Sequence, residues 1–325
     1  MNVIEQNLAA HAAVIYNQHA GNGEAKLAAE RFQRIHKFPG LFSFNEYLAN
    51  SQAILKAHQF LIVMGGDGTH TSVLQTALLS ELTDPLFVLL LGFGGQEVFA
   101  DVMNTKKNPN AVITSVLSGE YPEHQLRPLR VQTESTPESL LATWFAIGGF
   151  TGRVLENIEQ WRAQNIQDQV RRPLGTIQAY WHMLQSTSDV EITKPDGSST
   201  MALDAGVISP DVPKWGTVEI PPCGALPLIH IIGEYSSLDE RNSAIKWLAL
   251  QGIVSTFLPS LTTILGERRV IRHTPLQPGE SVGLRLTRQH LTVDAEKIKA
   301  FEATIQALTE NDRSYRPVRV LRLTK

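Results

Sequence analysis

The chain has one cysteine, Cys223, in 325 residues. A single thiol forms no intrachain disulfide and builds no cysteine-ligated zinc site, and it suits a reducing compartment. An excess of one charge is missing as well. With 29 basic and 32 acidic side chains the formal net charge is −3, so no global field draws the protein to nucleic acid or anionic lipid, although a local patch stays open. No apolar run is long enough to span a bilayer. The opening stretch MNVIEQNLAAHAAVIYN has no basic region ahead of its apolar part, which reads as a first strand rather than a secretion signal. The histidines show no HxxH, HExxH or Cys/His spacing, which argues against a zinc site. No Ser-His-Asp or reactive-cysteine motif is present, and Cys223 follows two prolines without a basic neighbour.

What is present is an apolar fraction of 42% and a charged fraction of 19%, the balance of a water-soluble globular chain. The length suits two domains. The most informative stretch is FLIVMGGDGTHTSVLQTALL, residues 60–79. Phe60 to Met64 are apolar and β-prone, as in a strand buried on both faces, and Thr69, Val73, Leu74, Ala77 and Leu78 recur at helical spacing. Gly65, Gly66, Asp67, Gly68 and Thr69 therefore form a strand-to-helix turn. Glycines there let the backbone approach a ligand, and the N–H groups and positive dipole end of the helix favour phosphate oxygens. Asp67 is the odd member, because a carboxylate among phosphates repels unless it meets a magnesium ion or accepts a ligand hydrogen bond. The spacing is neither the Walker form nor GxGxxG. The competing explanation is an ordinary glycine turn capped by Asp67 or Thr69.

Residues 12–103 alternate short apolar runs with helical patterns, which implies parallel strands with crossover helices. Such sheets bind ligands at the carboxyl ends of their strands, where Asn17 to Gly23 and Gly65 to Thr69 both fall. Near 119–123 the rhythm changes to β segments separated by turn chemistry such as Pro195-Asp196-Gly197. The expected fold class is thus α/β: a doubly wound, mainly parallel N-terminal domain over 1–122, and a mainly antiparallel, sandwich-like domain over 123–299. The tail 300–325 is expected to pack back on the first domain. Helices are expected near Gly175 to Gln185, over Ser237 to Gln251 with a capping box from Ser237 to Glu240, and over Lys297 to Leu308; Val318 to Leu323 reads as a strand.

The GGDGT turn, the earlier turn Asn17-Gln18-His19-Ala20-Gly21-Asn22-Gly23 and the two-domain rhythm together resemble the diacylglycerol kinase catalytic-domain family, chiefly the bacterial soluble lipid kinases, with NAD kinases as distant cousins. The first turn is similar to the family's Asn-Pro-x-Ala/Ser-Gly-x-Gly nucleotide loop, with Gln18 in place of Pro. Phe145 to Thr151 is similar to its strand ending in Gly-Phe-Asp, Leu174 to Trp181 to a Leu-Gly helix start, and Asp294-Ala295-Glu296 to its Asp-Gly-Glu motif. The resemblance implies ATP-dependent phosphorylation of a lipid hydroxyl, with the nucleotide phosphates against Asn17, Gln18, His19, Ala20, Gly21, Gly65, Gly66, Asp67, Gly68, Thr69 and Gly95, and with Ser43 near a nucleotide-contacting position. It implies ATP and Mg²⁺ as cofactors, with Asp67 meeting the metal through the nucleotide. Glu296 would be the base that takes the alcohol proton, and Asp294 would orient it. The implied partner is a lipid taken from the membrane surface by a cytoplasmic, peripherally associating protein that binds no nucleic acid; homodimerisation is left open.

The chain also departs from that pattern. Gly95 and Glu97 stand where the family has Thr and Asn after the fourth strand, and Thr71-Ser72 replaces Asn-Glu. Ala295 replaces a Gly, and Cys223 stands where several bacterial members have a metal-binding Asp, which argues against a structural Mg²⁺ there because that ion wants oxygen ligands. These departures keep two alternatives open: a nucleotide- or lipid-binding protein of the same fold without transfer, and a NAD kinase-like enzyme. Asp294 and Glu296 could equally be solvated strand residues. His19 and His70 beside the turns read as solvent-facing. Arg171-Arg172 and Arg268-Arg269 read as solvated pairs, and Trp161, Tyr180, Trp181 and Met183 as core.

Overall fold

A computed structural model describes residues 11–93, 105, 109–117, 123–152, 157, 160, 178, 189–209, 214–215, 218–219, 226–257, 271–287, 290–294, 296–309, 312 and 314–321. The chain divides into two compact units, Met1–Leu126 with Asn311–Lys325, and Arg127–Glu310. In chain order the first unit runs β1 (Ala12–Tyr16), α1 (Glu24–His36), β2 (Gly40–Ser43), α2 (Phe44–Ala57), β3 (Phe60–Gly65), α3 (Asp67–Leu78), β4 (Leu86–Gly92), α4 (Pro109–Leu117) and β5 (Glu123–Gln125). The second runs β6 (Leu129–Thr133), β7 (Thr136–Ala142), β8 (Phe145–Gly149), β9 (Val190–Thr193), β10 (Ser199–Ala202), β11 (Asp204–Ile208), β12 (Lys214–Trp215), β13 (Val218–Glu219), β14 (Leu228–Ile232), α5 (Leu238–Phe257), β15 (Ile271–Pro275), β16 (Ser281–Leu286), β17 (His290–Val293), β18 (Glu296–Lys299) and β19 (Glu302–Ala307). A last strand, β20 (Val318–Leu321), returns to the first unit.

The first unit is a sheet in the order β2-β1-β3-β4-β20-β5. β1, β2, β3, β4 and β20 run parallel, and β5 pairs antiparallel with β20 at the edge. The chain steps from β1 outward to β2, then back across to β3 on the other side. β1 and β3 are thus the neighbours at which the winding direction reverses, the place where open α/β sheets leave a ligand crevice at their carboxyl ends. β3 is buried along its whole length, as the sequence FLIVM requires of a central parallel strand with helices over both faces. Phe60, Ile62 and Met64 join Ala12, Val14, Leu89 and Leu91 with Ala25, Ala29 and Phe32 of α1 in one core cluster.

In the second unit all described pairings are antiparallel. One sheet has the order β10-β9-β16-β19-β6-β7, the other β15-β14-β11-β8-β17-β18, with β12-β13 as a separate hairpin. Alternate residues of both sheets, among them Val131, Ile192, Leu284 and Ile305 from the first and Ala146, Val207, Ile231 and Val293 from the second, form one apolar cluster, so the two sheets face each other as a sandwich. The chain crosses from one sheet to the other at Leu203, between β10 and β11.

The sequence expectation fails at Lys297 to Leu308, which is two strands and not a helix. Lys, Glu and Ala favour helix, but Ala303, Ile305 and Ala307 are buried alternately between polar residues. That period of two gains a face of the sandwich core, and tertiary burial outweighs local propensity. The expected helix at Gly175 to Gln185 lies outside the described residues apart from Gln178.

Candidate functional site

The carboxyl ends of β1 and β3 meet in register at Tyr16 and Met64, and the Asn17 N–H donates to the Met64 carbonyl at 2.9 Å. The two glycine turns therefore start at the same level on adjacent strands. In the first, Gly21 (φ +58°), Asn22 (φ +53°) and Gly23 (φ +96°) are consecutive left-handed residues, a run open to glycine and tolerated by asparagine. Gly23 then caps α1. A Cβ on Gly21 would lie 3.1 Å from the Phe93 carbonyl and in a left-handed conformation, so glycine is favoured there on both grounds.

In the second turn Gly65 is needed for a different reason. A Cβ on it would sit 2.6 Å from the Thr69 Cβ, so the bare backbone is what allows the Thr69 side chain to fold under the turn. Gly66 is the extended N-cap of α3 and supplies no side-chain cap; the first intrahelical bond is from the His70 N–H to the Gly66 carbonyl at 3.1 Å. Helix geometry thus leaves the first-turn amides of Gly68 and Thr69 without an intrahelical carbonyl. Gly68 is exposed, and a Cβ there would meet nothing within 4 Å. Helix-start N–H groups beside a glycine that carries no side chain are the arrangement that favours an anion. Asp67, the first helical residue, is half-buried beside it.

Asn17 joins the turns. Its Oδ1 accepts the His19 N–H at 3.0 Å, and its Nδ2 donates to Thr69 Oγ1 at 2.9 Å. Gln18 and His19 are exposed with their side chains hydrogen-bonded to each other, and Ala20 is half-buried. Ser43 stands level with Tyr16 at the end of β2. Its hydroxyl donates to Glu46 Oε2 at 2.7 Å and accepts the Glu46 N–H at 3.3 Å, completing a capping box at the start of α2. His70 is not solvent-facing as the sequence suggests. It is fully buried, with Nε2 3.2 Å from the Leu91 carbonyl, and burial pushes its imidazole down to about 4, so the ring is neutral. The error comes from the helical period, since a residue one step past an exposed turn already faces the sheet.

Residues 11–126 match the diacylglycerol kinase catalytic domain. That stretch ends at the boundary of the first unit and contains both glycine turns. No curated protein matches the chain. Among solved structures, a diacylglycerol kinase from Bacillus anthracis is 14% identical, with 96% of each chain covered and a TM-score of 0.58. A second Bacillus anthracis structure is 15% identical over 95% of this chain and 96% of that one, with a TM-score of 0.63. Yeast NADH kinase, solved with NADH, is 10% identical over 97% of this chain and 84% of that one, with a TM-score of 0.53. At these identities the likeness to the solved chains is one of fold, and it extends over both units, beyond the matched kinase domain.

In the second unit Asp294 occupies the turn between β17 and β18, in the left-handed region at φ +48°. It is 2% exposed and so is not a solvated strand residue. Its Oδ2 accepts from the Thr143 N–H at 2.6 Å and the Thr143 hydroxyl at 2.7 Å; its Oδ1 accepts from the Trp144 N–H at 2.8 Å and the Phe145 N–H at 3.0 Å. Burial raises the carboxyl pKa and these donors pull it back. Glu296 begins β18, its backbone paired with Val293. The donors at 143–145 had no sequence signal, because backbone N–H groups belong to every residue type. A second buried carboxylate, Asp204, went unread for the same reason. Burial lifts it to about 7, while its Oδ2 accepts the Thr151 hydroxyl and its Oδ1 the Thr151 N–H at 3.4 Å.

Gly95, Glu97, Cys223 and Ala295 lie outside the described residues, as do Arg171, Arg172, Arg268, Arg269, Trp161, Tyr180, Trp181 and Met183. Among the described residues no cluster of three or more His, Cys, Asp or Glu side chains could hold a metal, and no helix is long and apolar enough to cross a membrane.

Proposed function

We propose that the chain is a lipid kinase-like phosphotransferase that moves the γ-phosphoryl group of ATP to a lipid hydroxyl. The observation that carries this reading is the pair of glycine turns side by side at the switch point, one left-handed and one opening a helix, with Gly68 facing open space. Asn17 to Gly23 and Gly65 to Thr69 would hold the phosphates through backbone N–H groups. Phosphate oxygens suit such N–H groups, and Gly68 presents no side chain to a ligand there. Mg²⁺ carried with ATP would supply charge neutralisation, and Asp67 is the carboxylate placed to meet it.

Transfer then needs few parts. The lipid oxygen attacks the γ-phosphorus, the bond from that phosphorus to the bridging oxygen breaks, and ADP leaves with the electron pair. Glu296 accepts the hydroxyl proton as the new bond forms. Asp294, held by the N–H groups of 143–145, fixes the end of β17 just ahead of Glu296. The lipid would be met from the water side of a membrane by a peripheral, cytoplasmic protein.

The test is transfer of radiolabelled phosphate from ATP into a total lipid extract, with NAD in a parallel reaction. Label in an extractable lipid, dependent on Mg²⁺, is the expected outcome. Label in NADP instead would replace the lipid reading with a NAD kinase-like one, and nucleotide binding without transfer to either acceptor would leave a binding protein of this fold.

A further inference from the structure

We infer that Asn17 is a positioning residue that serves the nucleotide cradle through Thr69, rather than a direct phosphate ligand. The inference rests on the kinase reading above and concerns how its two turns are made to act as one. The Asn17 side chain has two ends, and the structure assigns them. The His19 N–H can only donate, so the end 3.0 Å from it is the carbonyl oxygen, and the end 2.9 Å from Thr69 Oγ1 is therefore the amide nitrogen. Thr69 Oγ1 is the acceptor in that bond. Its own proton is left to point elsewhere, and among the described residues it meets no acceptor.

Two further features hold the arrangement in place. Thr69 is 4% exposed and lies against the bare backbone of Gly65, where a Cβ would come within 2.8 Å of Oγ1. The hydroxyl therefore cannot swing freely toward the β3 end. The Asn17 backbone is fixed independently by its N–H to the Met64 carbonyl. Asn17 is thus bound at its backbone and at both side-chain ends, to β3, to its own turn and to the first turn of α3. These bonds take one Nδ2 hydrogen and one Oδ1 lone pair, which fixes the side chain's orientation, sets the separation of the two turns and keeps the Thr69 hydroxyl a donor toward the anion side.

The test is a double-mutant cycle read by ADP titration on the full chain, with thermal unfolding of each variant as a control for folding. Asn17→Ala should weaken ADP on the order of tenfold or more, as expected for a lost hydrogen bond next to a charged ligand. In a Thr69→Val background, which keeps shape but removes the acceptor, the same change should cost less than about threefold, because coupled residues are non-additive. Thr69→Ser, which keeps the hydroxyl, should restore the full sensitivity to Asn17→Ala and serves if Thr69→Val does not fold. Equal losses in all three backgrounds would overturn the inference and make Asn17 a direct ligand or a purely local turn residue. Failure of the unmodified protein to bind ADP or ATP at all is a different result: it removes the kinase reading, and this inference with it.

Discussion

The turn of the first unit and the turn of the second both place an aspartate next to backbone N–H groups, yet the two aspartates are in opposite situations. Asp67 is half-buried at the first residue of an uncapped helix, beside a glycine that faces open space. Asp294 is buried, in a left-handed conformation, with both oxygens accepting from residues 143–145. One carboxylate stands at the start of a helix beside an exposed glycine; the other accepts hydrogen bonds from three consecutive backbone N–H groups. Motifs of similar appearance therefore carry different physical content. A buried carboxylate that accepts from several backbone N–H groups is part of the fold, whereas a half-buried one at a helix start borders a surface that a ligand can reach.

Paired substitutions sharpen that contrast. Asp67→Ala should take transfer close to background while thermal stability moves much less than for Asp294, since Asp67 is only half-buried. Asp294→Ala should act first on stability, lowering it by about 3 kcal/mol or more as several buried donors lose their acceptor, with any loss of transfer following from the loosened turn. Even Asp294→Asn should be costly, since its NH₂ group must face one of the N–H donors that now point at a carboxylate oxygen. Calorimetry and turnover on the same preparations decide the matter, and a stable, soluble Asp294→Ala protein would break the distinction. Next in size is Glu296→Gln, which keeps side-chain volume but cannot take a proton. It should lower kcat by about 10²–10⁴ with little change in ATP affinity. A wild-type kcat, with chemistry rate-limiting, would remove Glu296 from the reaction; loss of ATP binding would move it to the nucleotide site.

Sequence alone was most informative where backbone geometry needs glycine or an unbroken apolar run. The strand Phe60 to Gly65, the turn after it and the sandwich strands that follow all leave such marks, because a Cβ clash at Gly65 or a buried parallel strand restricts which residues can stand there. It was least informative where the partner is anonymous. Asp294 is held by N–H groups that any residue would offer, Asn17 and Thr69 are 52 positions apart in the bond that joins them, and His70 is buried by packing that its neighbours in sequence do not reveal. The strand Glu302–Ala307 was misread because its composition favours helix while its place in the sandwich favours the alternating pattern.

Two buried titratable groups, one in each unit, respond to pH with opposite sign. In the first unit His70 is held neutral, with its pKa lowered to about 4 from 6.5. Its contribution is fully present above pH 6.5 and is lost as pH falls through about 4. In the second unit the sign is reversed at Asp204, whose carboxyl is raised from 3.8 to about 7. The folded state binds that proton more tightly than the unfolded one, so its contribution is present below pH 3.8 and is lost as pH rises through about 7. Asp204→Asn should therefore flatten this part of the pH dependence between about 4 and 7, measured by denaturant titration at a series of pH values. An unchanged slope would mean that the Thr151 hydrogen bonds, and not burial, govern the group.

The smallest effect falls on Ser43, where a folding role and a binding role compete for one hydroxyl. Its Oγ donates to Glu46 and accepts the Glu46 N–H, while the Ser43 N–H donates to Glu46 Oε2 at 2.7 Å, a reciprocal cap on α2. These bonds pull the Glu46 carboxyl below its ordinary range. Ser43→Ala should lower stability by about 1 kcal/mol, as for other lost N-caps. Because the hydroxyl proton is already given to Glu46, ADP affinity should change by less than about threefold, a margin smaller than one retained hydrogen bond to a charged group. A tenfold loss of ADP affinity with unchanged stability would place Ser43 with the turns at Asn17 and Gly65, and the crevice at the switch point would then extend along the end of β2.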